Sequence, residues 1–399
     1  MANKICCLCG DKITKKNDTN EHIIPNAVGG RLKVRGFICD PCNNSTGHTW
    51  DTALAKQMEQ MCLLFNIKRE RGSVQSLNIP TDNGEHIRFN PDGTMGLTKP
   101  QFSEFVEGRD VSVSISANSV KEAKKMLKGV KRKYPKIDTD KFLEEGKITS
   151  SYPEGNLRFS HHFGEELAGK SSVKTAMAFA ALNGIEAGRC DVALAYLMTA
   201  DSSKCFGHYY DGDFVLNRPD DAVFHCVNVT GIPSENLLVS YVEYFGFQRM
   251  IICLSENYNG PELSYTYAID PVAGEEIDIQ VNVQISVGQL HKCYSFEAAP
   301  DGAIQAMNKV IPIARKRHWE DERNRVIERA VEYAFANCGV NEGEILGEEG
   351  AKKLADLTMD QLQPFLLRAM GVPVEHIHIT ERPINPQKPY SDNTAHKKK

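Results

Sequence analysis

The sequence predicts an α+β protein, with a short cysteine-rich amino-terminal module followed by a larger mixed region that contains an antiparallel sheet and ends in helices. Three observations predict it. Five of the twelve cysteines fall within the first 42 residues, at Cys6, Cys7, Cys9, Cys39 and Cys42. Between Ala222 and Phe296 the β-branched and aromatic runs VFHCVNV, LLVSYVEYF, MIICL, YTYAI and IDIQVNVQI are broken by Gly, Pro and Asn, which is the pattern of strands joined by turns. After Pro312 the apolar residues Trp319, Val326, Ile327, Ala330, Val331, Ala334 and Phe335 return at helical spacing, with Gly339 placed to end the helix.

Taken in order, the amino-terminal segment is loop-rich up to Trp50. Trp50, Leu54, Met58, Met61, Cys62 and Phe65 then recur at the period of a helix. The polar stretch IKRERGSV reads as a linker. Residues 76–116 hold two turn signals, TDNGEH and NPDG, and Asn83-Gly84 is a favoured two-residue hairpin connection because both residues tolerate positive φ. The alternating run VSVSISA at 111–117 is the clearest strand. Ser119 opens a helix through the capping box Ser119-x-x-Glu122. Two further helices follow, over about 172–182 and 191–199, separated by a turn at Gly184. A helical region at 354–370 is interrupted or restarted at Pro364, and the tail from Arg382 reads as disordered. The expected division is therefore residues 1–66, a mixed α/β region with a basic helix at 67–220, an antiparallel sheet with helices at 221–381, and a tail at 382–399.

Composition excludes several classes. At 41% hydrophobic and 25% charged the chain is that of an ordinary globular protein. No apolar run approaches the ~18 residues of a membrane span. The longest, Ala176–Leu182 and Val192–Met198, stop at seven residues. MANKICCLCG has neither an apolar leader core nor a cleavage site, so a cytoplasmic location is expected. A net charge of −5 argues against nucleic-acid binding by global charge and leaves room for a local basic patch. No phosphate-binding loop, dinucleotide fingerprint or serine-hydrolase elbow occurs.

Two Cys-x-x-Cys pairs, Cys6/Cys9 and Cys39/Cys42, are the strongest chemical signal. A two-residue spacer turns two thiolates onto one tetrahedral Zn²⁺, and two such knuckles close a Cys₄ site. Twenty-nine residues lie between the pairs, so the metal clamps the ends of a small inserted unit. Cys7 lies beside a ligand and points elsewhere.

Inside the clamp stand Glu21-His22-Ile23-Ile24-Pro25, then Gly29-Gly30, a short strand near Val34–Ile38, the second knuckle, Asn43-Asn44 and a helix. This order resembles the HNH endonucleases of the ββα-metal superfamily, in their zinc-stapled form. The resemblance covers about fifty residues and rests on the acidic–His–x–x–Pro run, the Gly-Gly loop and Cys-x-x-Cys-Asn. It implies an amino-terminal zinc-stapled ββα-metal domain. His22 matches the general base, and Glu21 the acidic ligand of a catalytic Mg²⁺ or Mn²⁺. Asn43 matches the final ligand of that ion. Asn43 is equally suited to cap the helix, and Asn44 or Asp51 to supply the ligand instead. The middle Asn or His of the family pattern has no counterpart in Arg31–Ile38.

Arg31, Lys33 and Arg35 flank the expected cleft and are the phosphate-contact candidates. The helix after Ser119 adds Lys121, Lys124, Lys125, Lys128, Lys131, Arg132 and Lys133 against a single Glu122. The expected function is a metal-dependent endonuclease that hydrolyses phosphodiesters of DNA, with RNA left open, under a carboxy-terminal targeting or regulatory region. Restriction or phage defence is the context by analogy. The rival readings are a non-catalytic zinc-knuckle nucleic-acid-binding protein and a nuclease gated by a small-molecule or protein activator. A homo-oligomer is left open.

Overall fold

One helix, Glu166–Leu182, is apolar on nearly every side and is buried from Ala168 to Ala180 except at Lys170. A helix of that kind needs protein around it, and here a sheet and the amino-terminal module supply it. The computed structural model describes residues 5–108, 110–199, 202–295, 300–340, 343–378 and 380–384. The chain forms two compact units, Met1–Ser76 with Ser160–His318 and Leu77–Phe159 with Trp319–Lys399. These units cut across the linear division at 66, 220 and 381, because the first 76 residues share a core with the helix and sheet beyond residue 160.

In the first unit a six-stranded antiparallel sheet has the spatial order Glu275–Glu276, Leu263–Asp270, His225–Ile232, Leu237–Tyr244, Gln248–Ser255, Phe206–His208. The strands Leu237–Tyr244 and Gln248–Ser255 are buried at every residue, so they do not alternate, and Ser240, Glu243, Gln248, Arg249 and Ser255 are buried among their apolar residues. The charge inside them is compensated. Glu243, fully buried, accepts from Arg218 at 2.8 Å, Arg249 at 3.2 Å and the Tyr241 hydroxyl at 2.9 Å. The run IDIQVNVQI differs from expectation. It is extended, and Ile279, Val281, Val283 and Ile285 are buried, but it pairs only briefly with 214–216 through Leu216 N–H to Gln280 O and Asn282 N–H to Phe214 O, both 2.9 Å. The period-two pattern is real, yet the partner is too short to build a ladder.

The amino-terminal module is docked on this sheet by named contacts. Its strand Glu21–His22 pairs antiparallel with Lys33–Val34. The intervening loop makes its tightest approach at Gly30, where a Cβ would lie 1.7 Å from the Ile24 carbonyl oxygen. The Val28 carbonyl faces His225 Nε2 at 2.8 Å, and Leu32 N–H donates to the Tyr267 hydroxyl at 3.3 Å. Phe65 stacks on Phe245. The helix expected over 50–65 is present as Thr52–Gln57 and Glu59–Leu64 after a π-helical turn, Gly47–Asp51. The IKRERGSV segment is not a free linker. Ile67 and Val74 are buried, and Lys68 N–H donates to Pro271 O at 2.9 Å.

In the second unit, Leu77–Pro80, His86–Phe89 and Met95–Leu97 form a three-stranded sheet, and Gln101–Glu107 pairs with Asp110–Ser116. The Asn83-Gly84 connection is wider than a two-residue turn. It spans Thr81–Glu85, and of the two residues only Gly84 has positive φ, at 87°. Ser119 caps the helix Val120–Lys133 by accepting from Glu122 N–H at 3.1 Å, and Glu122 returns to Asn118 N–H at 2.9 Å. Lys121, Lys124, Lys125, Lys128, Lys131 and Arg132 are exposed along it. Two prolines sit inside helices: Pro312 within Pro300–Asn337, and Pro364 within Glu348–Ala369, which runs on without a break. Arg382 and Pro383 lie in a strand, Thr380–Pro383, paired with Lys147–Ser150. The rest of the expected tail, 385–399, lies outside the described residues. No helix among the described residues is long and apolar enough to cross a membrane.

His225 carries a stability prediction. Its Nδ1 accepts from Phe245 N–H at 2.9 Å, so the ring is neutral with its proton on Nε2, donated to Val28 O. Burial lowers its pKa to about 4. The unfolded chain therefore takes up a proton between about pH 6.5 and 4 that the folded chain refuses. The stability His225 contributes is complete above that window and falls, by up to about 1.4 kcal/mol per pH unit, as pH drops through it. Urea unfolding at pH 7 and pH 5 should show this loss in the wild type and a flatter dependence in His225→Gln. Equal slopes would contradict the assignment.

Candidate active site and zinc centre

The first knuckle turns back through Cys6 N–H to Asp11 O at 2.8 Å and Gly10 N–H to Cys6 O at 3.0 Å, with Gly10 at φ 76°. The second is the entry to the helix Asp40–Thr46, where Cys39 is the N-cap residue and Cys42 lies in the first turn. The ligand sulfurs of Cys6, Cys9, Cys39 and Cys42 all lie within 4.8 Å of one another, and Cys9 Sγ is 3.6 Å from Cys39 Sγ. Four thiolates at ~2.3 Å from one Zn²⁺ need about that separation. Burial pushes the Cys6 thiol up, but backbone N–H groups of Cys9, Cys39 and Leu8 outweigh it and bring it to about 7. Cys7 is held apart by its own N–H bond to Phe37 O at 3.1 Å. The donor set fits a structural zinc.

Glu21 and His22 are adjacent on one strand, so their side chains leave on opposite faces. Glu21 faces inward and is 4% exposed. There it meets the Lys174 ammonium, which also contacts Asp51 Oδ2 at 2.6 Å. Lys174 comes from the buried helix and is 1% exposed. Ser171, one turn earlier on that helix, donates to Asp51 Oδ1 at 2.7 Å. Asp51 ends the π-helical turn after the second knuckle. Two carboxylates from separate elements thus converge on one cationic centre, which is the donor chemistry of a hard-cation site. Burial opposes the charge on Lys174, and Asp51 and Glu21 overcome it and raise its pKa. Burial also raises the Glu21 carboxyl; Lys174 pulls it down and Asp51 pushes it up, and the net direction is upward. Burial is the largest of these effects and sets that direction, with Asp51 adding to it.

His22 faces the other way, with Nε2 2.9 Å from Glu70 Oε2. Glu70 also pairs with Lys33 at 2.6 Å. Those two contacts hold the Glu70 carboxyl at about 2, below its ordinary range. Burial lowers the His22 pKa in spite of Glu70, so the neutral ring is favoured. With Nε2–H given to a carboxylate, Nδ1 is the basic nitrogen. Glu70 is itself positioned, since its N–H donates to Asn26 Oδ1 at 2.8 Å.

The remaining sequence candidates are placed as follows. Asn43 donates to Thr19 Oγ1 at 2.7 Å and makes no hydrogen bond to Glu21. Arg31 donates to the Lys68 carbonyl at 3.2 Å, Lys33 is on Glu70, and Arg35, exposed, donates to Asn20 Oδ1. The structure therefore joins Glu21 with Asp51 and Lys174, and His22 with Glu70 and Lys33. Sequence reading had weighed Asp51 only as an alternative, and it missed Lys174 and Glu70. Lys174 lies 153 residues from Glu21 and Glu70 lies 48 from His22. The one sequence signal of Lys174 is its place in a helix, AGKSSVKTAMAFAAL, whose other residues apart from Lys170 are apolar or small.

No curated protein and no solved structure matches the chain. The family model of the HNH endonucleases does match, over residues 6–59. That span runs from the first knuckle through the paired strands and the second knuckle into the helix after Asp51, and it contains both carboxylates of the buried pair. The amino-terminal part of this chain is an HNH endonuclease domain with a four-cysteine cluster suited to zinc.

Proposed function

We propose that the protein is a metal-dependent endonuclease that hydrolyses phosphodiester bonds of DNA. The observation that carries this reading is the neutral His22 ring, held through Nε2 by Glu70 on the same two-residue strand that sends Glu21 into a carboxylate pair. A phosphodiester is anionic and its alkoxide is a poor leaving group, so cleavage needs an activated water and compensation of charge at phosphorus. His22 Nδ1 takes the proton from water as it attacks phosphorus in line, and Glu70 stabilises the imidazolium that forms. Glu21 and Asp51 are the residues that would hold a divalent ion such as Mg²⁺ or Mn²⁺. Such an ion would supply Lewis-acid compensation of the charge that builds up in cleavage; Glu21 leaves the strand on the face opposite His22, so the ion-holding pair and the base do not flank one site in this structure. Products would carry 5′ phosphate and 3′ hydroxyl ends. In this reading Asn43 braces the knuckle helix against Thr19, and the ion-holding role expected of it passes to Asp51.

Arg31, Lys33 and Arg35, on and beside the strand that pairs with Glu21–His22, are the proposed phosphate contacts. The exposed cations of the Val120–Lys133 helix support a nucleic-acid partner through the same backbone charge. Such contacts position the duplex without reading bases.

Two measurements test the reading. On supercoiled plasmid with Mg²⁺ or Mn²⁺, the wild type should nick, and His22→Ala should lose at least ~10²-fold in rate, the ordinary contribution of a positioned general base. His22→Ala protein that nicks as fast as wild type would remove His22 from the mechanism. If wild type and variant both bind the plasmid and neither cuts, the non-catalytic binding reading replaces the nuclease. Metal analysis should find one tightly held zinc per chain, and Cys39→Ser should lose it and lower the melting temperature. Zinc-free protein that melts like the wild type would contradict a structural role.

A further inference from the structure

We propose that Lys174 is the resident cation of the Glu21–Asp51 pair, and that a divalent ion reaches the pair only when the Glu166–Leu182 helix withdraws this lysine. The inference rests on the reading of Glu21 and Asp51 as the ion-holding residues and adds how their occupancy is controlled. The ammonium is 2.6 Å from Asp51 Oδ2 and in direct contact with Glu21 Oε1. A Mg²⁺ ion would need those same oxygens at ~2.0–2.1 Å. The ammonium and a divalent ion therefore compete for the same oxygens, and each weakens the hold of the other through like-charge repulsion.

The exchange has a charge logic. One ammonium neutralises half of the charge on two carboxylates, and a divalent ion neutralises all of it. What opposes exchange is the location of Lys174. It is 1% exposed, and its helix neighbours Ser171, Ser172, Val173 and Thr175 are buried. In this proposal the ammonium leaves the pair through a shift of the helix that carries it. Ser171 strengthens the coupling. It lies three residues from Lys174 on the same helical face and holds the other oxygen of Asp51. One helix from the region beyond residue 160 thus grips both oxygens of one carboxylate in the nuclease domain. That region acts as the gate on the pair, and the enzyme at rest is closed to its metal.

Mn²⁺ binding followed by electron paramagnetic resonance tests this without reference to cleavage. Lys174→Met, which keeps the length of the side chain and removes its charge, should bind Mn²⁺ at least tenfold more tightly than the wild type. Adding Glu21→Gln to that variant should abolish the gain. Equal Mn²⁺ affinity in the wild type and Lys174→Met overturns the proposal, as does a gain that survives Glu21→Gln. A second measurement needs no variant at this site. Acetic anhydride labelling read by mass spectrometry should find Lys174 protected in metal-free wild type and reactive during plasmid cleavage with Mn²⁺. Rapid cleavage with Lys174 still protected overturns the gate and leaves the nuclease reading standing. If no condition gives cleavage, the nuclease reading fails while the Mn²⁺ titration still decides whether Lys174 occupies the pair.

Discussion

A buried ammonium between two carboxylates is the constraint on which this structure turns. Desolvating three charges is costly, and in a protein interior their mutual attraction repays that cost only when the geometry is close and the remaining valences are hydrogen-bonded. The contacts here are close, and both oxygens of Asp51 are bonded. Lys174 contacts Glu21 and Asp51, and Ser171 takes the oxygen of Asp51 that Lys174 leaves. Removing the ammonium from such a cluster leaves uncompensated buried charge, at a cost on the order of 3–5 kcal/mol. The cluster therefore fixes three elements at once: the strand of the HNH domain, the turn after its second knuckle, and the long buried helix.

This constraint explains why an HNH module of some sixty residues is not an independent bead at the start of the chain. A module of that size buries too little apolar surface to be more than marginally stable alone. The four-cysteine cluster joins its two ends, the sheet holds its loop through His225 and Tyr267, and Pro271 accepts from Lys68 beyond its helix. The same contacts place the proposed acid-holding and base functions on opposite faces of one short strand. Glu21 goes inward to the ion cluster, and His22 outward to Glu70 at the partly exposed edge.

What the sequence made legible was whatever is local. Cys-x-x-Cys spacing declares a tetrahedral sulfur site because two residues suffice to turn the chain onto one metal, and the helix caps at Ser119 and Gly339 follow from neighbours within four positions. The largely apolar runs at 237–244 and 248–255 likewise announce buried strands. What stayed hidden is what the fold brings from afar. Glu70 sits in a polar stretch that looks like a linker, and Asn26, which accepts from its N–H, and Pro271, which accepts from Lys68 N–H, hold that stretch beside His22. Lys174 is an ordinary letter in a helix until Glu21 and Asp51 are folded against it. Local rules also overreached, as at Pro312 and Pro364, where helices pass through a residue whose missing N–H and ring clash usually end them.

The account stands on the energetic coupling of Lys174 to the carboxylates beside it, and a double-mutant cycle measures that coupling directly. Unfolding free energies of the wild type, Glu21→Gln, Lys174→Met and the double variant should be strongly non-additive. Removing both charges should cost less than the sum of the single losses, by about 2 kcal/mol or more, because Lys174→Met leaves Glu21 and Asp51 facing each other without a cation and Glu21→Gln relieves that repulsion. Additivity within about 0.5 kcal/mol would mean the two groups do not sense each other, and the ion cluster would not be the organising contact of the molecule.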